Sequence, residues 1–273
     1  MISLPHLLIK TVDETLDKII SDKCSVSRFG DGEFHMLMMT GNIRFQTLNN
    51  RLSVKLNEVI KSKLEKHIVC LPPIFESVDF MIDMPRNFWI QWLKWYEKMA
   101  IQYIDMEKEY YDSFMSRLYF VYKDKSKVKA RFDKVKLIWN NRNIVIVEGD
   151  KSRLGVGNDL FDNCQSIKRI LCPATNAFFK YDEILDEIKK HDHTELILIA
   201  LGPTATVLAY DLCIYGYQAI DIGHIDIEYE WFLQGVTDVR PVKNKYVDES
   251  PDGTIVGEIH DIKYESEIIA KIN

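Results

Sequence analysis

The sequence predicts an α/β fold on a parallel sheet with a helix-rich N-terminal half, and three observations carry that reading. Beyond residue 140, four short apolar runs rich in β-branched side chains, at 144–147, 167–171, 196–201 and 219–222, alternate with helix-length amphipathic segments. Near-continuous apolarity suits strands covered by helices on both faces, and strand–helix alternation is how a parallel sheet is built. Before residue 140 the pattern is helical. Leu48, Leu52, Leu56, Val59, Ile60 and Leu64 recur at three- and four-residue spacing, and similar spacing links Trp89, Trp92, Leu93, Tyr96 and Tyr103. Two further strand candidates, 24–29 and 67–71, interrupt these helices and can join the same sheet. At about 150 residues per domain, 273 residues leave one domain or two open. No Gly/Ser/Pro-rich linker divides the chain, so one Rossmann-like domain over 1–273 is expected, with a boundary near 140 as the alternative.

Composition narrows the partners. Lys and Arg number 35 against 41 Asp and Glu, a net charge of −6 that disfavours nucleic acid and suits a site gathering carboxylates around a divalent cation. Five cysteines without a CxxC pair cannot form a complete intramolecular disulfide set and read as reduced thiols of a cytoplasmic protein. No run approaches the roughly 20 apolar residues of a membrane span, and Met1 to Asp13 lack the pattern of a secretion signal.

In parallel α/β sheets ligands sit beyond the carboxyl ends of strands, so the strand-to-helix junctions are the candidate sites. After 144–147, Arg153, Gly155, Gly157 and Asn158 form a Gly-containing loop leading toward a helix expected at Leu160. Such a loop can cradle phosphate, or it can be a tight turn with a capping residue. Gly202 and Thr204, around Pro203, offer a second anion-friendly helix start or simple capping. Asn176, among aromatics, can hold a base or sugar. Ser27, Arg28 and Gly30 precede Asp31 and Glu33, two carboxylates that reach one hard cation if the backbone is extended or turning; as an N-cap and first-turn pair they would only complement a helix dipole. If residues 221–231 are extended, His224, Asp226, Glu228 and Glu230 share a face, as metal ligands, a general base or an exposed edge strand. Trp89, Trp92, Trp95 and Tyr96 suit core or subunit-interface packing better than sugar stacking.

Taken in order, SRFGDGEF, SRLYF, VEGDKSRLGVGNDLF, CPATNAF, LGPTATVLAYDL and GHIDIEYEWF cover nearly the whole chain, and together they resemble the GT-D glycosyltransferases, bacterial enzymes that extend O-linked glycans on serine-rich repeat adhesins. The resemblance implies a single Rossmann-like domain and transfer of a hexose, typically glucose from UDP-glucose, with Mn²⁺ (or Mg²⁺) held by a DxE motif that falls on Asp31 and Glu33. Asp226 and Glu228 form a second DxE, and the segment at Asp248 and Glu249 resembles a region that supplies an active-site carboxylate. The expected partners are a UDP-sugar donor and a glycosylated adhesin or other glycan acceptor, in a protein capable of homo-oligomerising. A metal-dependent phosphohydrolase, a nucleotide-dependent oxidoreductase and a non-catalytic partner of another transferase are the competing readings.

Overall fold

The computed structural model describes residues 7–273; residues 1–6, part of the stretch searched for a secretion signal, lie outside them. Helix α1 (Val12–Asp22) begins with a capping box in which Thr11 and Glu14 satisfy each other's backbone N–H groups. Strand β1 (Ser25–Arg28) and helices α2 (Asp31–Met38) and α3 (Asn50–Ile60) follow, then β2 (His67–Leu71), the long helix α4 (Asp83–Ala100), β3 (Tyr111–Asp112) and α5 (Val128–Lys136). The second half carries β4 (Asn143–Gly149), β5 (Ser166–Cys172), α6 (Tyr181–Ile188), β6 (Leu196–Ala200), α7 (Pro203–Ile214), β7 (Ala219–Asp221), α8 (Ile225–Gln234), α9 (Ile262–Glu267) and β8 (Ile268–Lys271).

Among the described residues, eight strands lie in one sheet, ordered β3-β2-β1-β7-β6-β4-β5-β8, and every strand pairing in it is parallel. The six expected strands are all present. Those called β3 and β8 here were not foreseen: one has two residues, and the other alternates half-buried with exposed positions at the sheet edge. The centre is dry, with residues 144–147 of β4 and 196–199 of β6 fully buried.

Alternation along β1 assigns the two faces. Ser27 donates to the Thr206 carbonyl of α7 (2.6 Å), whereas Arg28 points the other way and donates to the Ser113 carbonyl (3.2 Å). Helices α2, α3 and α7 pack together on the Ser27 side, while α5 lies with α1 and meets α8 through Phe132 and Tyr229 (4.9 Å between ring centroids). The chain therefore leaves β1 toward one face and leaves its neighbour β7 toward the other. Adjacent strands whose exits diverge open a crevice at their carboxyl ends, the position where such sheets bind ligands.

Two local expectations are corrected. Residues 221–231 are not extended: α8 starts at Ile225, because Ile225, Ile227, Tyr229 and Trp231 are all buried around a helix rather than on one face of a strand. Nor does a helix begin at Leu160. Residues 150–165 form a chain of turns, with Arg153, Gly155 and Gly157 at positive φ, so no helix N-terminus is available there to face a phosphate.

Candidate active site

The crevice between β1 and β7 is framed by a buried ion pair. Arg28 donates from Nε to the Asp221 carbonyl (2.9 Å) and from Nη2 to Asp221 Oδ1 (3.0 Å), tying the two strand ends together. The next turn needs glycine: Gly223 has φ 41°, and a Cβ there would lie 1.8 Å from Arg28 Nη2. That close approach directs the chain to His224, at the entrance of α8.

On the β1 bank, Asp31 and Glu33 occupy the first turn of α2. Glu33 Oε2 accepts the Gly30 N–H (2.7 Å), so the capping arrangement is present and one carboxylate oxygen is spent on it. Burial, with the Asp221 carboxylate nearby, pushes Glu33 up to about 7. Burial also raises Asp31; Arg117 and His35 oppose that shift and Glu249 adds to it, which places Asp31 within electrostatic reach of residues far along the chain.

The opposite bank is His224, Asp248 and Glu249, whose ligand atoms lie within 4.8 Å of one another. His224 Nε2 is 3.8 Å from Asp248 Oδ1 and 3.8 Å from Glu249 Oε1, and it is buried without a hydrogen-bond partner. Burial lowers the imidazole pKa against the pull of Glu249. Glu249 forms a two-point ion pair with Arg117, whose Nη1 reaches Oε2 at 3.2 Å. Burial disfavours its charge, but Arg117 and His224 outweigh that and hold it down at about 2. Arg44, from the turn at 43–46, donates to the Asp248 carbonyl.

The other expected site residues are engaged elsewhere. Asp226 is 2% exposed and accepts from Lys245 (2.7 Å), the Gly155 N–H (2.9 Å) and Asn158 Nδ2 (2.8 Å), while Asn158 also reaches Glu230 (2.7 Å). Asp226, Gly155 and Asn158 thus meet as a buried lock between α8 and the β4–β5 loop. Glu228 is fully buried and accepts the N–H groups of Tyr119 and Phe120 (both 2.8 Å). Asp226 is thus committed to that lock, which corrects its reading as a base, whereas the second oxygen of Glu228, Oε1, is buried without a hydrogen-bond partner 3.9 Å from Arg117 Nη1. Arg153 is 4% exposed and donates to the Asn244 and Gly257 carbonyls (2.9 and 2.8 Å), bracing the C-terminal segment instead of presenting a free fork. Gly157 has positive φ and open space around its Cα. Ser27 is buried between Thr206 and His67. Asn176 Oδ1 accepts from Thr47 N and Oγ1 (2.8 and 3.0 Å), and Gly202, at φ 53°, lies under Phe45, both holding the 43–47 turn. Thr204 Oγ1 is buried and unpartnered.

Arg117 and Arg44 were given no role by the sequence, His224 only as one of a row of polar residues on an extended segment, and Asp248 only through the resemblance of its segment. Arg117 lay in the SRLYF segment and His224 in GHIDIEYEWF, but only folding brings residues 31, 117, 224 and 249 together.

An all-parallel α/β sheet with a carboxylate-rich crevice at a divergent strand pair places the chain among the open α/β folds that bind ligands beyond the carboxyl ends of their strands. Comparison with known proteins makes it specific: a family model described as the glycosyltransferase GT-D fold matches residues 26–250. Glycosyltransferase GlyD of Streptococcus pneumoniae is 41% identical over 98% of this chain and 33% of its own length. The probable glycosyl transferase Gly of Streptococcus gordonii is 38% identical over 98% of this chain and 39% of its own. A solved structure of the domain of unknown function 1792, described as having a distinct glycosyltransferase fold, superposes with a TM-score of 0.93 at 40% identity, covering 99% of this chain and 97% of that one. The chain belongs to the GT-D glycosyltransferase family, and it spans between a third and two fifths of the length of these two relatives. No helix of the described residues is long and apolar enough to cross a membrane.

Proposed function

We propose that this chain transfers a hexose, glucose from UDP-glucose in the first instance, to a hydroxyl of an O-linked glycan on a serine-rich repeat adhesin or similar surface glycoconjugate, assisted by Mn²⁺ or Mg²⁺. The observation that carries the reading is the crevice, where Asp31, on the helix turn that also bears Glu33, lies within electrostatic reach of Arg117 and Glu249, and Glu249 clusters with His224 and Asp248. These residues suit a divalent cation: the donors are carboxylates and an imidazole, and His224 Nε2 is a buried nitrogen with no partner of its own. A cation held there supplies positive charge against the diphosphate leaving group.

The chain's own residues do the rest. Arg117 and Arg44 stand at the crevice and take the phosphate-facing role first considered for Arg153, whose guanidinium is committed to two carbonyls. Arg28 fixes Asp221 and the turn at Gly223, keeping the two banks in register. Of the three carboxylates considered as base, Asp226 is spent on Lys245, Glu228 lies fully buried behind Arg117, and Glu249 is the one with an exposed side chain at the crevice. Its Arg117 partner keeps it a weak base, and an Arg117 drawn toward diphosphate would leave Glu249 freer to accept the acceptor's hydroxyl proton.

The test is a donor screen that follows UDP release with and without Mn²⁺, using a glycosylated adhesin peptide as acceptor. Acceptor-dependent release from UDP-glucose, abolished by EDTA and restored by Mn²⁺, is expected. Release that ignores the acceptor would favour a phosphohydrolase, and undiminished transfer in EDTA would remove the metal from the reading.

A further inference from the structure

Helix α4 carries an apolar stripe that its own fold does not cover. Its inner face is conventional, with Pro85, Trp89, Trp92 and Ala100 buried, Trp92 against Phe34 of α2 (5.4 Å between centroids) and Tyr96 against His35 (4.7 Å). Beside that face, Met84, Phe88, Trp95 and Met99 are 53, 46, 70 and 40% exposed. Their spacings of four, seven and four residues place them within a sector about 60° wide at 3.6 residues per turn. Single exposed apolar residues are ordinary; four in line, including the large rings of a Phe and a Trp, are the composition of an interface.

The charges indicate what covers the stripe. At the N-terminal end of α4 Glu76, Asp79 and Asp83 are exposed and acidic, Asp79 being paired with Arg86 (3.3 Å); toward its C-terminal end Lys94 and Lys98 are basic and exposed, with Glu97 half-buried among them, a net acidic end and a net basic one. A second copy laid parallel would set acid against acid, whereas an antiparallel copy sets each acidic end against a basic one, twice by symmetry. The stripe is also self-complementary in that direction: a two-fold axis beside Gln91 pairs Met84 with the partner's Met99, and Phe88 with the partner's Trp95. We infer that α4 is an isologous dimerisation helix, docking antiparallel on α4 of a second copy of this chain. Because α4 packs directly behind the helix bearing Asp31 and Glu33, the dimer braces one bank of the crevice without entering it.

Sedimentation of the 273-residue chain over a concentration series tests this, with far-UV circular dichroism and Tm as the fold control. The wild type is expected to reach twice the chain mass. Trp95→Ser and Phe88→Ser, both at exposed positions, are expected to stay folded and weaken association by at least about 30-fold, the effect of losing an aromatic hot spot. Cysteine cross-linking under mild oxidant, with the wild type as background, tests orientation. Gln91→Cys should cross-link to itself; Met84→Cys and Met99→Cys should each fail alone, their like positions being about 22 Å apart along the axis, yet cross-link when mixed. A chain that is monomeric at every concentration, a dimer that Trp95→Ser leaves unchanged, or self-cross-linking of Met84→Cys without that of Gln91→Cys would each overturn the inference.

Discussion

Ser27 and His67 show how a residue in a motif can serve the fold. Ser27 is hydrogen-bonded to the Thr206 carbonyl and to His67 Nε2, and Ser62 holds the other ring nitrogen at 3.0 Å. Burial holds the His67 pKa down at about 3, so the ring is neutral in the folded chain and ordinary in the unfolded one. A depressed folded pKa gives stability that is complete above about 6.5 and lost as pH falls toward 3. We predict that urea-unfolding free energies of the wild type fall by up to about 1.4 kcal/mol per pH unit below 6.5 from this group, and that His67→Gln loses that part of the slope. The crevice carboxylates should behave differently. Glu33→Gln keeps an acceptor for the Gly30 N–H and removes only the charge, so we expect Tm to change little while transfer falls by about 100-fold or more; Asp31→Asn should act alike. Equal activity of both variants and wild type in the UDP-release assay would set aside the role given to this bank. Spacing alone leaves the pair at Asp31 and Glu33 between metal ligands and a helix cap, and the cap is present; their reading as metal ligands comes from the resemblance. His224 is named on the wrong premise of an extended segment and Arg117 not at all, since their pairing with Glu249 depends on residues 25 and 132 positions away.

At the scale of elements, β-branched runs made the central strands readable, but period two misled at α8. Ile225, Ile227, Tyr229 and Trp231 alternate with charged or polar residues, as a half-buried strand would; the helix forms because its other positions also find buried partners. Asp226 and Glu230, one helical turn apart, close together on Lys245, at 2.7 and 3.1 Å, and Gly235 ends the helix in a left-handed conformation. This lock joins α8, the β4–β5 loop and the turn that leads to Asp248 and Glu249. Lys245 and Asp226 are both 3% exposed at their side chains. Lys245→Met therefore strands a buried carboxylate and is expected to cost about 3–5 kcal/mol in chemical denaturation. The double variant Lys245→Met with Asp226→Asn should recover part of that loss, and a single variant as stable as the wild type would mean that the pair does not hold these elements together. Gly223→Ala is a sharper local break. Its Cβ would collide with Arg28, so transfer should be lost even where Lys245→Met retains some.

For the whole molecule, the parallel sheet was legible and the location of its site was not, because strand order is a long-range property. Nothing local to residues 25–28 or 219–221 says that they are neighbours, yet their pairing at Val26 and Ile220 creates the crevice by sending α2 and α8 to opposite faces. The site is thus assembled from both halves of the chain, which also argues against a functional boundary at residue 140. A ligand bridging the two banks should stabilise the molecule as a unit. One that binds only the folded state adds RT ln(1 + [L]/Kd), about 2.7 kcal/mol at a hundredfold excess over Kd, or roughly 5–10 °C for a domain near this size. We predict that Mn²⁺ with UDP raises Tm by that order, that UDP in EDTA gives a much smaller rise, and that His224→Ala loses most of the Mn²⁺-dependent increment, its ring being the partnerless nitrogen of the second bank. An increment retained in His224→Ala but lost in Asp31→Asn would move the cation wholly to the β1 bank; one retained in both would place it outside the crevice.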